Sequence, residues 1–433
     1  MILFKNVKLF DGHSLIGERD VLIKNNKIQL IQNDIDEQSI PMDILHELKI
    51  INGNGKLLAP GFIDVHVHLR EPGFEYKETI ETGSLAAAKG GFTTICCMPN
   101  TNPVIDSIET VQSIKAKAAI NNGVSVNCIA AITVSERGED LTDFVALREA
   151  GIIALSDDGR GVQDAKVMQD AFMQAAELKI PVIIHAEDEP LAKGGHMHAG
   201  EKAEELGIKG IPSTSESVMV ARDILLAEAA NAHVHFAHLS AKESVRWIEH
   251  AKKMGINVTC EVTPQHLVMN DQDILEDHGN FKVNPPIRAR EDQNQLISAF
   301  QSGIIDIIAT DHAPHSEEEK SRGIKGSPFG MVGLETAFAV LYSKLVLQHK
   351  VSLERLLQAM TSRPAEIFGF KNGIIEPNGE ANLVLVDLDK RKLVDANNFA
   401  SKGKNSPFIG WELQGWPIMT IVSGEIIHED KEV

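Results

Sequence analysis

Apolar residues recur along this chain with two different periods, and the period changes with position. In the first 58 or so residues, short apolar stretches at 7–10, 21–23 and 28–31 are broken by polar turns such as Asn25-Asn26, and these stretches read as β-strands. The tail from about Asn372 has the same texture. Residues 382–388 and 418–422 are strand-like, and Ser423-Gly424 before a further apolar run at 425–428 marks a hairpin. Between these ends, β-rich apolar runs at 62–68, 93–98, 124–132, 152–155, 182–185, 233–238, 258–262 and 304–309 alternate with amphipathic stretches such as 79–89, 165–178, 216–230 and 242–253. Eight strands alternating with helices over roughly 250 residues predict a (β/α)8 TIM-like barrel. The two β-rich ends predict a small β-sandwich built by both termini. The expected division is therefore 1–58 with 372–433 for the β domain and 59–371 for the barrel. The connection at 187–212 is long and Gly-rich, which predicts an insertion or an active-site loop.

Polar residues on the eight strands fall in a pattern. Asp64, His66 and His68 lie on the first, and a period of two puts them on one face. Asp157-Asp158 ends the fourth strand, His185 the fifth, His238 the sixth and Asp311 the eighth. Strand C-termini form the catalytic face of such barrels. Four imidazoles and at least two carboxylates thus converge on one point. They suit a divalent ion of borderline softness, with no thiolate needed. Five or six ligands exceed one tetrahedral ion and fit two ions sharing a bridging carboxylate and a hydroxide. Either Asp157 or Asp158 can supply that carboxylate. His196 and His198 in the Gly-rich connection read as solvated, and parity places His233 and His235 on the face opposite His238. Arg70, two residues beyond His68, points to an anionic substrate, because its guanidinium fork matches a carboxylate. Arg288 and Arg290 compete with it from the loop after the seventh strand.

Charge and cysteine usage narrow the function classes. The 433 residues carry a net charge of −19, against a broad nucleic-acid footprint or an anionic-membrane surface. No apolar run reaches the roughly 18 residues of a membrane span, and the first residues lack the uninterrupted apolar core of a signal peptide. The 4 cysteines form no CxxC, which argues for a reducing cytoplasm.

The segments Asp64-Val-His66-Val-His68-Leu-Arg70-Glu-Pro-Gly, Met98-Pro-Asn100-Thr-Asn-Pro and Asp311-His-Ala-Pro-His315 resemble the dihydroorotases of the amidohydrolase superfamily, the bacterial type with a stand-alone chain. The resemblance spans the whole chain, β-rich ends included. It implies a zinc enzyme that interconverts N-carbamoyl-L-aspartate and L-dihydroorotate in pyrimidine synthesis. It also implies two zinc ions per subunit: His66, His68 and Asp311 on one, His185 and His238 on the other, with Asp158 and a hydroxide between them. Many relatives bridge the metals with a carbamylated lysine. The fourth strand here ends Ser156-Asp157-Asp158 without one, which places the chain with the aspartate-bridged subgroup. By the same match, Asp311 carries the catalytic proton. Arg70, Asn100, Asn284 and His315 bind substrate, with His68 and the Phe329-Gly330 backbone as further contacts. The resemblance leaves a homodimer and an association with an aspartate transcarbamoylase open as assemblies. The rival readings are another cyclic amidohydrolase (dihydropyrimidinase, hydantoinase or allantoinase) and a non-catalytic scaffold of a transcarbamoylase.

Overall fold

The computed structural model describes residues 1–36, 48–121 and 123–430. From the N-terminus come β1 (Ile2–Phe10), β2 (Leu15–Lys24), β3 (Lys27–Gln32), β4 (Lys49–Asn52) and β5 (Leu57–Pro60). Ten strands follow in the middle of the chain: β6 (Phe62–Val67), β7 (Phe92–Cys97), β8 (Ser125–Ala130), β9 (Ala154–Leu155), β10 (Val182–Ile184), β11 (Met197–His198), β12 (Gly210–Ile211), β13 (Val234–Phe236), β14 (Val258–Val262) and β15 (Ile307–Ile308). The C-terminus adds β16 (Leu383–Leu393), β17 (Glu412–Val422) and β18 (Glu425–Glu429).

The two chain ends meet in one mixed sheet, in the order β18-β17-β16-β5-β1-β2-β3, with β4 on β1. The seam between them is antiparallel β16 on β5, where Leu385 faces Leu58. Phe4, Val7, Leu9, Val21, Leu58, Leu385 and Ile421 form the core of this sheet. The predicted hairpin is present: Ser423 and Gly424 both take left-handed backbone (φ 50° and 78°). That two-residue geometry matches the twist of its flanking strands.

The other eight-stranded sheet is parallel, with β6, β7, β8, β9, β10, β13, β14 and β15 in sequential order. It closes on itself at the C-terminal end. His68 N donates to His312 O at 2.8 Å. Asp64, two residues before His66 on β6, accepts from Thr310 N at 3.2 Å and Thr310 Oγ1 at 2.6 Å, so it seals the barrel seam. Burial pushes the Asp64 carboxyl up to about 7.

Side-chain alternation decides what faces inward. Cys96, Ile129, Ala154, Ile183, Ala237 and Ile307, one from each of six strands or strand ends, share one cluster with Phe368 and Phe370. Their chain neighbours Ile95, Cys128, Val182, Phe236 and Ile308 lie in the cluster that holds the helices. The helix Ala165–Leu178 shows how that outer layer forms. Asp164 caps it by accepting from Lys166 N and Val167 N, and Met168, Ala171, Phe172 and Ala175 make one buried stripe. The 187–212 connection is an insertion carrying the parallel pair β11–β12 and short helices. No helix among the described residues is long and apolar enough to cross a membrane.

Candidate active site

Each strand delivers its ligand by a local geometric reason. On β6 and the residue just after it, period two aims His66 and His68 at the barrel axis. Asp158 and His185 follow β9 and β10 in register with inward-facing Ala154 and Ile183. Asp157, one residue earlier, points the other way. It accepts from Ile132 N at 2.7 Å, Thr133 N at 3.0 Å and the Thr133 hydroxyl. The choice between the two aspartates is thus made by parity. His238 should by the same parity face outward from Phe236-Ala237, but its backbone is left-handed (φ 29°), which turns the ring inward. Asp311 (φ 50°) and Arg70 (φ 61°) share this conformation. Such non-glycine backbone costs on the order of 1–3 kcal/mol per residue and persists where surrounding structure holds it.

His66, His68, Asp158, His185, His238 and Asp311 are buried together, none more than 7% exposed, and Arg70 is half-buried beside them. Asp158 Oδ1 lies 3.5 Å from His66 Nε2, 3.6 Å from His185 Nδ1 and 3.6 Å from His238 Nε2, and Asp158 Oδ2 lies 3.5 Å from His68 Nε2. Asp311 Oδ1 is 3.0 Å from His68 Nε2 and 3.6 Å from His66 Nε2. Two ligand atoms each about 2.0–2.1 Å from one tetrahedral ion would stand roughly 3.3–3.5 Å apart. The 3.5–3.6 Å spacings around Asp158 suit ion coordination better than direct hydrogen bonds, whereas His68 Nε2 with Asp311 Oδ1 at 3.0 Å and His185 Nδ1 with His238 Nε2 at 2.9 Å are in direct hydrogen-bond contact. Two ligand clusters, His66-His68-Asp158 and Asp158-His185-His238, share Asp158. His66 Nε2 and Asp158 Oδ1, both buried, have no hydrogen-bond partner, as metal-facing atoms would not. The donor set fits two ions of the zinc type bridged by Asp158.

Charge at the site is balanced by proximity. Burial opposes ionisation of Asp158, yet His66, His185 and His238 around it hold its carboxyl well below the usual range. Asp311 is likewise lowered, burial being outweighed by His68 and His66.

A cavity of about 140 Å³ opens beside these ligands, lined by His68, Arg70, Asn100, Asp158, Asn284, Phe329 and Gly330 among others. Asn100 Oδ1 is 2.9 Å from His68 Nδ1, so that nitrogen donates and Nε2 turns to the centre. Asn284 Nδ2 approaches His185 Nε2 at 3.4 Å. Arg70 Nε donates to Pro314 O at 3.2 Å, and Arg70 Nη2 lies 3.3 Å from His315 Nε2. His315 stands behind Arg70, with Nε2 2.7 Å from Phe329 O and Nδ1 3.2 Å from Lys77 Nζ. Burial, Arg70 and Lys77 push this imidazole far down, so it is neutral.

The profile of the family described as "Dihydro-orotase-like" matches residues 55–244. The dihydroorotase of Bacillus cytotoxicus is 49% identical over 427 residues, covering 99% of this chain and 98% of that protein. The dihydroorotase of Bacillus cereus is 49% identical over 424 residues, covering 98% and 97%. This chain belongs to the dihydroorotase family. Among solved structures, the L-hydantoinase (dihydropyrimidinase) of Arthrobacter aurescens superposes with a TM-score of 0.89 at 27% identity, covering 100% of this chain and 97% of that one. The D-hydantoinase of Thermus sp. gives 0.85 at 25% identity, covering 99% and 96%.

In this member of the dihydroorotase family, the rival arginines fall away from the cavity. Arg288 is 3% exposed and spent on structure. It donates to Ser240 Oγ at 3.0 Å and Ile211 O at 2.8 Å, with Glu216 Oε2 at 3.8 Å. Arg290 is exposed at the start of the helix Arg290–Gln301. His196 and His198 belong to neither ligand cluster, as expected, but they are half-buried instead of solvated. His196 Nδ1 sits 3.1 Å from Lys282 Nζ, and burial with Arg288 nearby pushes His198 down to about 4. The opposite-face reading of His235 does not hold. It points into the barrel, where His235 Nε2 is 3.2 Å from Glu261 Oε2. Glu261 was not among the residues expected at the site. It is fully buried and lies 2.7 Å from His66 Nδ1. The available signal was a carboxylate on the otherwise apolar run 258–262.

Proposed function

We infer that this chain is a dihydroorotase, interconverting N-carbamoyl-L-aspartate and L-dihydroorotate by making and breaking one ring amide bond in pyrimidine biosynthesis. The near-half identity to dihydroorotases over almost the full length of both chains carries this reading. The two Asp158-sharing clusters supply its chemistry. His66, His68 and Asp311 would hold one zinc ion, and His185 and His238 the other. When bound, such a pair lowers the pKa of water toward neutrality and polarises a carbonyl oxygen.

The chain's own residues do the rest. Asp311 takes the proton of the attacking water and passes it to the departing ring nitrogen, and in the ring-closing direction it returns that proton. Its ionised state at neutral pH, set by His68 and His66, readies it to accept. Arg70, supported by Asn100 and His315, holds the substrate's free carboxylate through charge-assisted hydrogen bonds. Asn284, His68 and the backbone at Phe329-Gly330 line the remaining cavity wall and orient the ring amide. We divide the chain at about residues 58 and 372 into a terminal β domain and a catalytic barrel. We place it in the cytoplasm, on its 4 cysteines, all buried and unpaired. A homodimer and an association with an aspartate transcarbamoylase are tested by light scattering and by co-elution.

The deciding experiment assays purified protein with dihydroorotate and carbamoyl aspartate, before and after chelation and zinc return, with hydantoin, dihydrouracil and allantoin alongside. Turnover of the first pair, lost with chelator and restored by zinc, is expected. Preference for a neutral cyclic ureide would move the chain to the hydantoinase reading. Zinc-independent inactivity would favour a scaffold.

A further inference from the structure

A line of buried polar side chains runs from the metal centre back through the barrel. His66 Nδ1 lies 2.7 Å from Glu261 Oε1, and Glu261 Oε2 lies 3.2 Å from His235 Nε2. His235 Nδ1 then meets Thr259 Oγ1 at 2.8 Å, and His233 Nε2 meets the same oxygen at 2.8 Å. His66, Glu261 and His235 are fully buried, while Thr259 and His233 at the far end are partly exposed. His235 faces inward from β13 with His233 two residues earlier, just before the strand, and Thr259 and Glu261 are likewise two apart on β14.

With His235 neutral, the donors and acceptors along this line admit one consistent set of protons. His66 faces the metal centre through Nε2, so Nδ1 carries the proton and donates to Glu261. An ionised carboxylate only accepts, so His235 donates from Nε2. Its bare Nδ1 accepts from the Thr259 hydroxyl, whose oxygen accepts from His233. Every proton in the column points toward Glu261. Among the described residues, no comparable carboxylate stands behind His185, whose Nε2 meets the amide of Asn284.

We propose that Glu261 and His235 are positioning residues for His66: the column fixes the tautomer and ring plane of that ligand and so sets zinc affinity at the His66-His68 position. The inference rests on the two-metal reading of the site. Partners of this kind typically change metal affinity about 10- to 100-fold.

The test is zinc competition with a chromophoric chelator on the full-length chain, comparing wild type with Glu261→Gln, His235→Phe and His233→Leu. Glu261→Gln leaves an oxygen at the Oε1 place, which accepts from both His66 Nδ1 and His238 N, and removes the carboxylate charge and the acceptor that faces His235 Nε2. The expected result is a loss of affinity at one of the two zinc positions, largest for Glu261→Gln and smallest for His233→Leu, with the other position unchanged. The melting temperature of zinc-free protein is measured beside it. Unchanged affinity at both positions in these variants overturns the proposal, and so does equal weakening of both positions that tracks a lower melting temperature. If Glu261→Gln fails to fold, the two histidine variants decide. A wild-type chain that binds no zinc refutes the metal reading itself, which separates the two failures.

Discussion

In the terminal sheet, most buried side chains are apolar, and the buried carboxylate of Asp20 is paired. Phe4, Val7 and Leu9 of β1 are fully buried, while Lys5 beside them keeps 24% of its side chain exposed and meets Asp20 at 2.7 Å. At the barrel mouth, His66, His68, Asp158, His185, His238 and Asp311 are all buried within one cluster. Three residues there, Arg70, His238 and Asp311, adopt left-handed backbone. Unpaired buried charge and strained backbone both cost free energy. The sheet pairs its buried Asp20 with Lys5 and keeps left-handed Asn6, Asn25, Asn26 and Ser423 at a bulge and at turns, whereas the mouth places that backbone on the reactive residues themselves. One region is organised for stability, and the other holds reactive groups in place at stability's expense. Substitutions should therefore separate by region, with activity lost at the mouth and stability lost in the sheet.

The largest effect is expected from His66→Ala, which removes a metal-facing imidazole. One zinc ion should be lost by elemental analysis and turnover should fall to the assay floor, whereas His196→Ala should retain both ions. Equal zinc loss from the two variants would show that the centre lies elsewhere. Next comes Asp311→Asn. On the proposed role of Asp311 as proton carrier, this change should lower kcat by about 10²–10⁴-fold with a smaller change in KM. Steady-state kinetics at saturating dihydroorotate read this directly, and a change confined to KM would assign Asp311 to binding instead.

Arg70→Met should raise KM for dihydroorotate about tenfold to a hundredfold, from the roughly 1.5–3 kcal/mol of a charge-assisted hydrogen bond, with zinc content unchanged. An unaltered KM would move the carboxylate pocket away from Arg70. In the sheet, the expectation reverses. Leu385→Ala, at a fully buried position beside Leu58, should cost about 2–5 kcal/mol in denaturant unfolding while kcat per folded molecule stays at the wild-type value. A large loss of kcat would mean that the sheet and the site are coupled.

The smallest effect concerns Asp20. Burial opposes its charge, but the amides of Ile35 and Asn6 and the ammonium of Lys5 prevail, and its carboxyl is lowered. A lowered carboxyl contributes stability above its unfolded pKa of about 3.9, and that contribution disappears as pH falls through the folded value. Asp20→Asn should therefore cost about 1–3 kcal/mol near neutral pH. The gap from wild type should close in acid, as followed by melting curves from pH 7 down to 3. A gap that widens in acid would reverse the assigned sign.

The parts of the site legible in the sequence are those set by short-range periodicity. His66 and His68 on one strand, and histidine or aspartate at the ends of four others, follow from a period of two together with the alternation of strands and helices. Arg70 is legible through its position two residues beyond His68 in the loop after β6. Glu261 is not, because a single carboxylate on an apolar run is uninformative until β14 is placed opposite β6 and β13. Only then does one oxygen meet His66 and the other His235.

The order of strands and helices, the composite β region at the chain ends and the strand-end ligands were determined by the sequence itself, because each depends on spacing within a few residues. Closure of the barrel decided the rest. It set Asp158 against the histidines and sent Asp157 to Thr133, and it buried Arg288 against Ser240 and Ile211 while Arg70 reached the cavity. It also turned His238 inward against its parity, through a left-handed residue whose amide is held by Glu261. The physical reason is range. Periodicity records which face of its own strand a residue occupies, whereas hydrogen-bond partners, burial and tolerated strain depend on segments tens to hundreds of residues away that meet only when the parallel sheet closes.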